Sequence, residues 1–413
     1  MNEMTSYATS LMFVVAAVVS IIARRLKLPY TVGLVATGAI LVFFHVSLKT
    51  TLTRELIFNA LLPPLLFEAA INIPWRELRR DSLVVGVMAV VGVVISAAVV
   101  AAGMTLLFHW PFPSALVFGV LIAATDPVSV IATFKDIGIH GRLRLLVEAE
   151  SLLNDGVAAV LFGVALAFAG GASAVALGPA LWSLAVTVLG GIAVGAIAAG
   201  LAFLLAWRST DHLVETLLTA AVAYGSFLQA EHLHVSGVLA TVTAGLLMGN
   251  FGILREDGSI ITQRGRESVM TVWDFAAFVA NSLIFLLIGA RVAEIPFHVL
   301  GAASLVGAIV LVLAGRMASV YPLCALVTRT RHKVPMSHQH ILFWGGLRGA
   351  LALALALSLP RELAFRDEIV IATFGVVAFS IVVQGVTLTP LMRRLGIEFG
   401  GGPTPHPQPS HTE

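Results

Sequence analysis

Two polar islands interrupt long apolar stretches near the middle of this sequence. They are Ala124-Thr125-Asp126-Pro127-Val128-Ser129-Val130 and Glu148-Ala149-Glu150-Ser151-Leu152-Leu153-Asn154-Asp155-Gly156. On a helix, residues four apart share a face, so Ser151 lies beside Asp155 and Asn154 beside Glu150. Glu150 and Asp155 are offset from that spacing and point in different directions, which gives the two carboxylates different jobs. Asp155 with Ser151 presents one charged and one neutral oxygen, a hard-donor set suited to a small cation such as Na+. The same carboxylate can take a proton instead. A group that holds either a cation or a proton is the chemical core of exchange. The bland alternative is a structural carboxyl hydrogen-bonded to a neighbouring helix.

Thr125-Asp126-Pro127 is a different device. Proline removes a backbone donor and clashes with the turn before it, so the helix is expected to part into two half-helices whose facing ends expose partial charges. Asp126 can neutralise a positive end, and the freed carbonyl of Thr125 can ligate a cation. A simple kink with Asp126 as an N-cap is the other reading. Gly345-Gly346-Leu347-Arg348-Gly349-Ala350 predicts a second interruption, here with a cation at the break. An unpaired buried charge is costly, and Arg316 and Arg348 are the cations within apolar runs, so Glu150 is expected to pair with one of them, Arg316 preferred. Glu68, just after Pro63-Pro64, is the remaining deep carboxylate, either a cation ligand on the access path or a structural group.

These residues sit in a chain of 413 residues that is 58% hydrophobic and 12% charged, with mean hydropathy +0.96. Soluble domains carry about a quarter charged residues, so the composition is that of a membrane protein. A net charge of +2 gives no reason to expect nucleic acid. The single cysteine, Cys324, excludes an intramolecular disulfide and reads as packing. No secretory leader is expected at the N-terminus, and residues 400–413 read as a disordered cytoplasmic tail.

Runs of about 20 apolar residues fall at approximately 6–24, 30–47, 53–72, 82–108, 114–134, 144–170, 178–207, 212–232, 235–251, 267–291, 297–328, 338–359 and 367–392. Pro63-Pro64 predicts a break in the third and Asp126-Pro127 one in the fifth, tolerable where protein or a water-filled cavity satisfies the freed backbone. Lys and Arg alternate between the connections. One side holds Arg24, Arg25, Lys27, Arg76, Arg79, Arg80, Lys135, Arg142, Arg144, Arg208, Arg255, Arg264, Arg266, Arg329, Arg331, Lys333, Arg393 and Arg394. The other holds Lys49, Arg54, Arg291, Arg361 and Arg366. The richer side is cytoplasmic, which places the N-terminus outside and the C-terminus inside. Gly190, Gly191, Gly195 and Gly200 suit close helix packing, and His338 and His340 read as interfacial residues rather than metal ligands.

The motifs FEAAI (67–71), ATDPVSV (124–130), ESLLNDGVA (150–158), GRMASVY (315–321) and GGLRGALALAL (345–355) occur in this order. On them the chain resembles the monovalent cation:proton antiporter superfamily, in its NhaP-like electroneutral branch. The resemblance implies an all-α polytopic fold of the NhaA-like antiporter type, with about thirteen transmembrane helices, inverted repeats and two discontinuous crossing helices. Residues 1–399 would form one antiporter domain, with scaffold and dimer helices at about 6–72 and 178–291 and a mobile core at about 82–170 and 297–392.

It implies a homodimer in the plasma membrane, a transporter rather than an enzyme, and no cofactor besides the transported Na+ and H+. Li+ and K+ are the other cations to consider. Asp155 would be the exchanging carboxylate, with Ser151, the Thr125 carbonyl and Glu68 as further cation ligands. The Glu150–Arg316 pair would hold Asn154, and Asp126 and Arg348 would compensate the crossed helix ends. Asn154 preceding Asp155 implies one cation per proton, an electroneutral exchange, and the short tail implies no regulation through a long cytoplasmic extension. A K+-selective exchanger or a channel is the competing transport reading. An intramembrane aspartyl protease using Asp126 and Asp155 is the competing enzyme, but its Gly-x-Gly-Asp motif is missing.

Overall fold

The computed structural model describes residues 3–26, 29–44, 52–171, 177–206, 211–254, 260–327 and 333–397, and every regular element among them is helical. In apolar surroundings backbone N–H and C=O groups must pair within their own segment, which a helix achieves. Eight of the described helices are long and apolar enough to cross a membrane, Trp75–Phe108, Arg142–Ala169, Gln263–Glu294 and Ala302–Leu326 among them. Shorter apolar helices run over Ser10–Ala23, Tyr30–Phe43 and Gly237–Ile253. The exposed faces are apolar too: Phe43, Leu106, Trp182, Leu189 and Leu326 all point outward. In water so many exposed large apolar groups would mark an interaction surface; lipid is the solvent that suits them.

Two groups of helices meet around the polar residues. In one, Phe112–Ala123 and Arg142–Ala169 both pack on Trp75–Phe108, which Ala302–Leu326 also covers. In the other, Leu62–Ile71 packs against Gly237–Leu247 and Gln263–Glu294, and Tyr30–Phe43 lies along Gln263–Glu294. Leu62–Ile71 also touches Arg142–Ala169, so the second polar island faces the junction of the two groups.

The two sequence-predicted interruptions at 124–127 and 345–349 are both present. Phe112–Ala123 gives way to extended backbone before Val128–Ile137 begins, and Met336–Trp344 ends before Ala350–Leu357 starts. Pro63-Pro64 behaves otherwise. No half-helices form there, because Ile57–Leu61 widens into a π-helical turn and both prolines enter the first turn of Leu62–Ile71. Proline is tolerated at a first turn, where its missing donor is little needed.

The glycines of Leu177–Ala206 divide. A Cβ on Gly191 would lie 2.6 Å from the Ser236 carbonyl, and one on Gly195 would collide with the Ala240 carbonyl, so both allow close approach of Gly237–Leu247; Gly200 faces open space. Cys324 is fully buried. The tail 400–413 and the loop cations Lys27, Lys49, Arg208, Arg255, Arg329 and Arg331 lie outside the described residues.

Candidate functional site

The two interruptions cross, and each supplies what the other lacks. The carbonyls of Ala123 and Ala124, orphaned where Phe112–Ala123 stops, accept from Arg348 Nη1 at 2.6 and 2.9 Å. The backbone N–H of Asp126 donates to the Leu347 carbonyl at 2.7 Å. Its carboxylate accepts from the N–H of Val128 at 2.9 Å, at the start of the second half-helix. Positive helix ends favour a carboxylate and negative ends a guanidinium, so Asp126 and Arg348 are oppositely placed for that reason. A Cβ at Gly349 would collide with the Asp126 carboxyl, which explains a glycine there.

A third element fixes the second break. Ser380 Oγ accepts the N–H of Arg348 at 2.8 Å, and Gln384 Nε2 donates to the Trp344 carbonyl at 2.9 Å. Both come from the π-helical stretch Ser380–Gln384.

Arg142–Ala169 runs uninterrupted beside this crossing. Asn154, fully buried, uses its whole amide: Oδ1 accepts from Thr125 N–H at 3.1 Å, and Nδ2 donates to Thr125 Oγ1 at 2.7 Å and Glu150 Oε1 at 2.9 Å. Arg316 in turn donates to both oxygens of Glu150 at 2.7 Å and to the Leu342 carbonyl at 2.9 Å. The pair is bidentate and buried, the geometry in which a charge pair is strongest. Ser151 Oγ is 2.9 Å from Thr125 Oγ1.

Asp155 stands apart. Among the described residues its carboxyl has no hydrogen-bond or ion-pair partner, and it faces a cavity of about 320 Å³. Thr125, Asp126, Glu68, Glu148, Asp274 and Asn281 line the same space, with Lys135. Of the residues singled out from sequence, Asp155, Thr125, Asp126 and Glu68 therefore share one cavity. Ser151 and Asn154 do not line it but are bonded to Thr125, and Glu150, Arg316 and Arg348 are buried away from its lining.

Glu68 is not a lone carboxylate. Lys135 Nζ lies 3.9 Å from its Oε1, and Asn72 Nδ2 donates to the same oxygen at 3.0 Å. Lys135 is also 3.6 Å from Asp274 Oδ1, and Arg144 reaches Glu148 at 3.4 Å. Asp274 and Asn281 escaped the sequence reading. Their signal was available, since Asp274, Phe278 and Asn281 have i, i+4, i+7 spacing within an apolar run and all three line the cavity. Ser380 and Gln384 gave no comparable signal. His340 Nδ1 pairs with the Tyr321 hydroxyl at 2.8 Å. No cluster of three or more His, Cys, Asp or Glu able to hold a metal occurs among the described residues.

An anionic cavity at the junction of crossed, interrupted helices is a transporter's architecture, and comparison with known proteins agrees. Residues 13–394 match the family described as "Sodium/hydrogen exchanger, transmembrane". The Na(+)/H(+) antiporter ApNhaP of Aphanothece halophytica is 40% identical over 375 residues, covering 90% of this chain and 70% of that protein. The Na(+)/H(+) antiporter NhaH of Halobacillus dabanensis is 33% identical, covering 94% of this chain and 97% of its own. The fold is similar to that of the sodium proton antiporter MjNhaP1 from Methanocaldococcus jannaschii, with a TM-score of 0.72 at 20% identity over 96% of this chain and 99% of that one. With its many apolar helices, this chain is a multi-pass membrane protein and a transporter rather than an enzyme. It belongs to the sodium/hydrogen exchanger family.

Proposed function

We propose that the protein exchanges Na+ for H+ across the plasma membrane by alternating access, one for one and without net charge. The observation that carries this reading is Asp155: a carboxylate deep in an apolar bundle, without a protein partner among the described residues, facing a cavity beside the two crossed breaks. A buried charge left unpaired is costly, and a cation or a proton removes that cost. Because one carboxylate serves both, they exclude each other, and each leaves when the other arrives.

In this reading the Thr125 carbonyl, Ser151 and Glu68 are the further cation ligands beside Asp155; Thr125 and Glu68 lie on the cavity wall and Ser151 behind Thr125. Asn154 holds the Thr125 backbone in place, anchored by the Glu150–Arg316 pair. Asp126 and Arg348 neutralise the crossed helix ends, so the site keeps its shape whichever ion occupies it. No cofactor is needed beyond the transported ions. The names of the relatives favour Na+ over K+ as the cation.

The architecture we infer is about thirteen spans in inverted repeats, on the NhaA-like plan, with scaffold helices at about 6–72 and 178–291 and a moving core at about 82–170 and 297–392. The packing of Phe112–Ala123, Arg142–Ala169 and Ala302–Leu326 on Trp75–Phe108 supports that division. The Lys/Arg alternation supports an external N-terminus and a cytoplasmic C-terminus. We take the functional unit to be a homodimer, as the family resemblance implies.

The test is purified protein in liposomes containing a pH dye, challenged with Na+, Li+ and K+ in turn. Na+-driven proton efflux is expected, and Asp155→Asn should abolish it while leaving the protein folded. Exchange persisting in that variant above a few per cent of wild type would sink the assignment. Response to K+ alone would favour a K+ exchanger, and unitary currents in a planar bilayer would mean a channel.

A further inference from the structure

The cavity is electrically lopsided. Glu68, Asp126, Glu148, Asp155 and Asp274 contribute carboxylates, and among the described residues lining it Lys135 is the one lysine or arginine. Its Nζ lies 3.9 Å from Glu68 Oε1 and 3.6 Å from Asp274 Oδ1, on two different helices, and Glu148 is within electrostatic reach. Arg144, the neighbouring cation, is engaged with Glu148. Both Lys135 contacts exceed the range of an N–H···O hydrogen bond, and the lysine side chain is 48% exposed. The ammonium is thus held by charge rather than by directional bonds, as a mobile counter-ion would be. Lysine suits that duty, being a compact point charge on a flexible stem. Its helix, Val128–Ile137, starts at the break beside Asp126, so the charge is anchored to the same segment as the site.

We propose that Lys135 is a tethered competitor of the transported cation: its ammonium occupies the Glu68 and Asp274 carboxylates that an arriving cation would otherwise meet, and so sets the cavity's cation affinity. This rests on the exchange reading above and adds an affinity-determining residue to it. A cation entering the cavity competes with the ammonium for those carboxylates. On leaving, it is helped out as the lysine returns to its carboxylates. A lysine with only a structural role would affect stability and leave affinity alone.

Dye-loaded proteoliposomes titrated with Na+ provide the measurement. Lys135→Gln should lower the apparent KM for Na+ about three- to fivefold, the scale of one partly exposed ion pair, with kcat unchanged or reduced. Lys135→Arg should keep the wild-type KM, because the charge remains. Raising ionic strength with choline chloride should shrink the difference between wild type and Lys135→Gln. Should Lys135→Gln fail to fold, Asp274→Asn tests the same idea in the opposite direction. Freed from Asp274, the ammonium settles on Glu68 and the KM should rise. An unmoved or raised KM in Lys135→Gln, or an unmoved or lowered KM in Asp274→Asn, overturns the proposal. Wild-type protein without Na+-driven proton flux would overturn the exchange reading and this proposal with it. Normal wild-type exchange with unmoved variants overturns only the role of Lys135.

Discussion

Glu150 and Arg316 show what a single pair of charges can hold in place. The two parallel 2.7 Å contacts neutralise both residues, and Glu150 Oε1 is left to accept from Asn154, which in turn fixes Thr125. Removing one partner strands the other in a buried site, at about 3–5 kcal/mol. Glu150→Gln and Arg316→Met should each lower the thermal midpoint in detergent sharply, and the double variant should recover part of the loss. Simple addition of the two losses would show that the pair is not coupled. Sequence alone reduced the partners of Glu150 to two arginines, since the interiors of the apolar runs contain no other Lys or Arg. What occupies Arg348 instead, the carbonyls of Ala123 and Ala124, becomes visible only once two distant breaks are brought together. Glu68 was legible as a deep carboxylate but not as the neighbour of Lys135 and Asp274, because three separate helices converge there.

At the scale of elements, both breaks were legible because proline and glycine act locally, on their own turn of helix. Pro63-Pro64 shows the limit of that rule. The same residue type that parts one helix at Pro127 enters the first turn of Leu62–Ile71 at residues 63–64, behind a widened turn, so the dipeptide alone does not dictate a break. The glycines around Arg348 have a sharper reason than flexibility, since the Asp126 carboxyl lies where a Gly349 side chain would be. Gly349→Ala should therefore push Asp126 off the half-helix ends it caps. Exchange is expected to fall at least tenfold, equivalent to about 1.4 kcal/mol, with expression and helix content largely kept. Wild-type rates in Gly349→Ala proteoliposomes would show that the crossing tolerates displacement and that Asp126 is not held to one position.

For the whole molecule, the decisive property is the charge moved per cycle. Asn154 neighbours Asp155 but cannot titrate, and its amide is fully engaged with Thr125 and Glu150. If Asp155 alone trades one Na+ for one H+, turnover moves no net charge. A potential imposed with valinomycin and a K+ gradient should then neither drive nor slow the exchange. Competition for that one group also predicts that the apparent KM for Na+ rises about tenfold per pH unit once protons dominate the site. Net charge movement would instead couple turnover to the field at about 2.3 kcal/mol per 100 mV, a change of more than tenfold in rate or gradient. Such an effect cannot be overlooked in a flux assay. Potential-driven proton uptake would mean that a second group titrates during the cycle. Glu68 would then be the first residue to test, because it shares the cavity with Asp155 and meets its lysine only at 3.9 Å. Glu68→Gln should restore indifference to the potential if that carboxylate is the second site. In that event the one-for-one stoichiometry fails and the exchange of cation for proton at Asp155 stands.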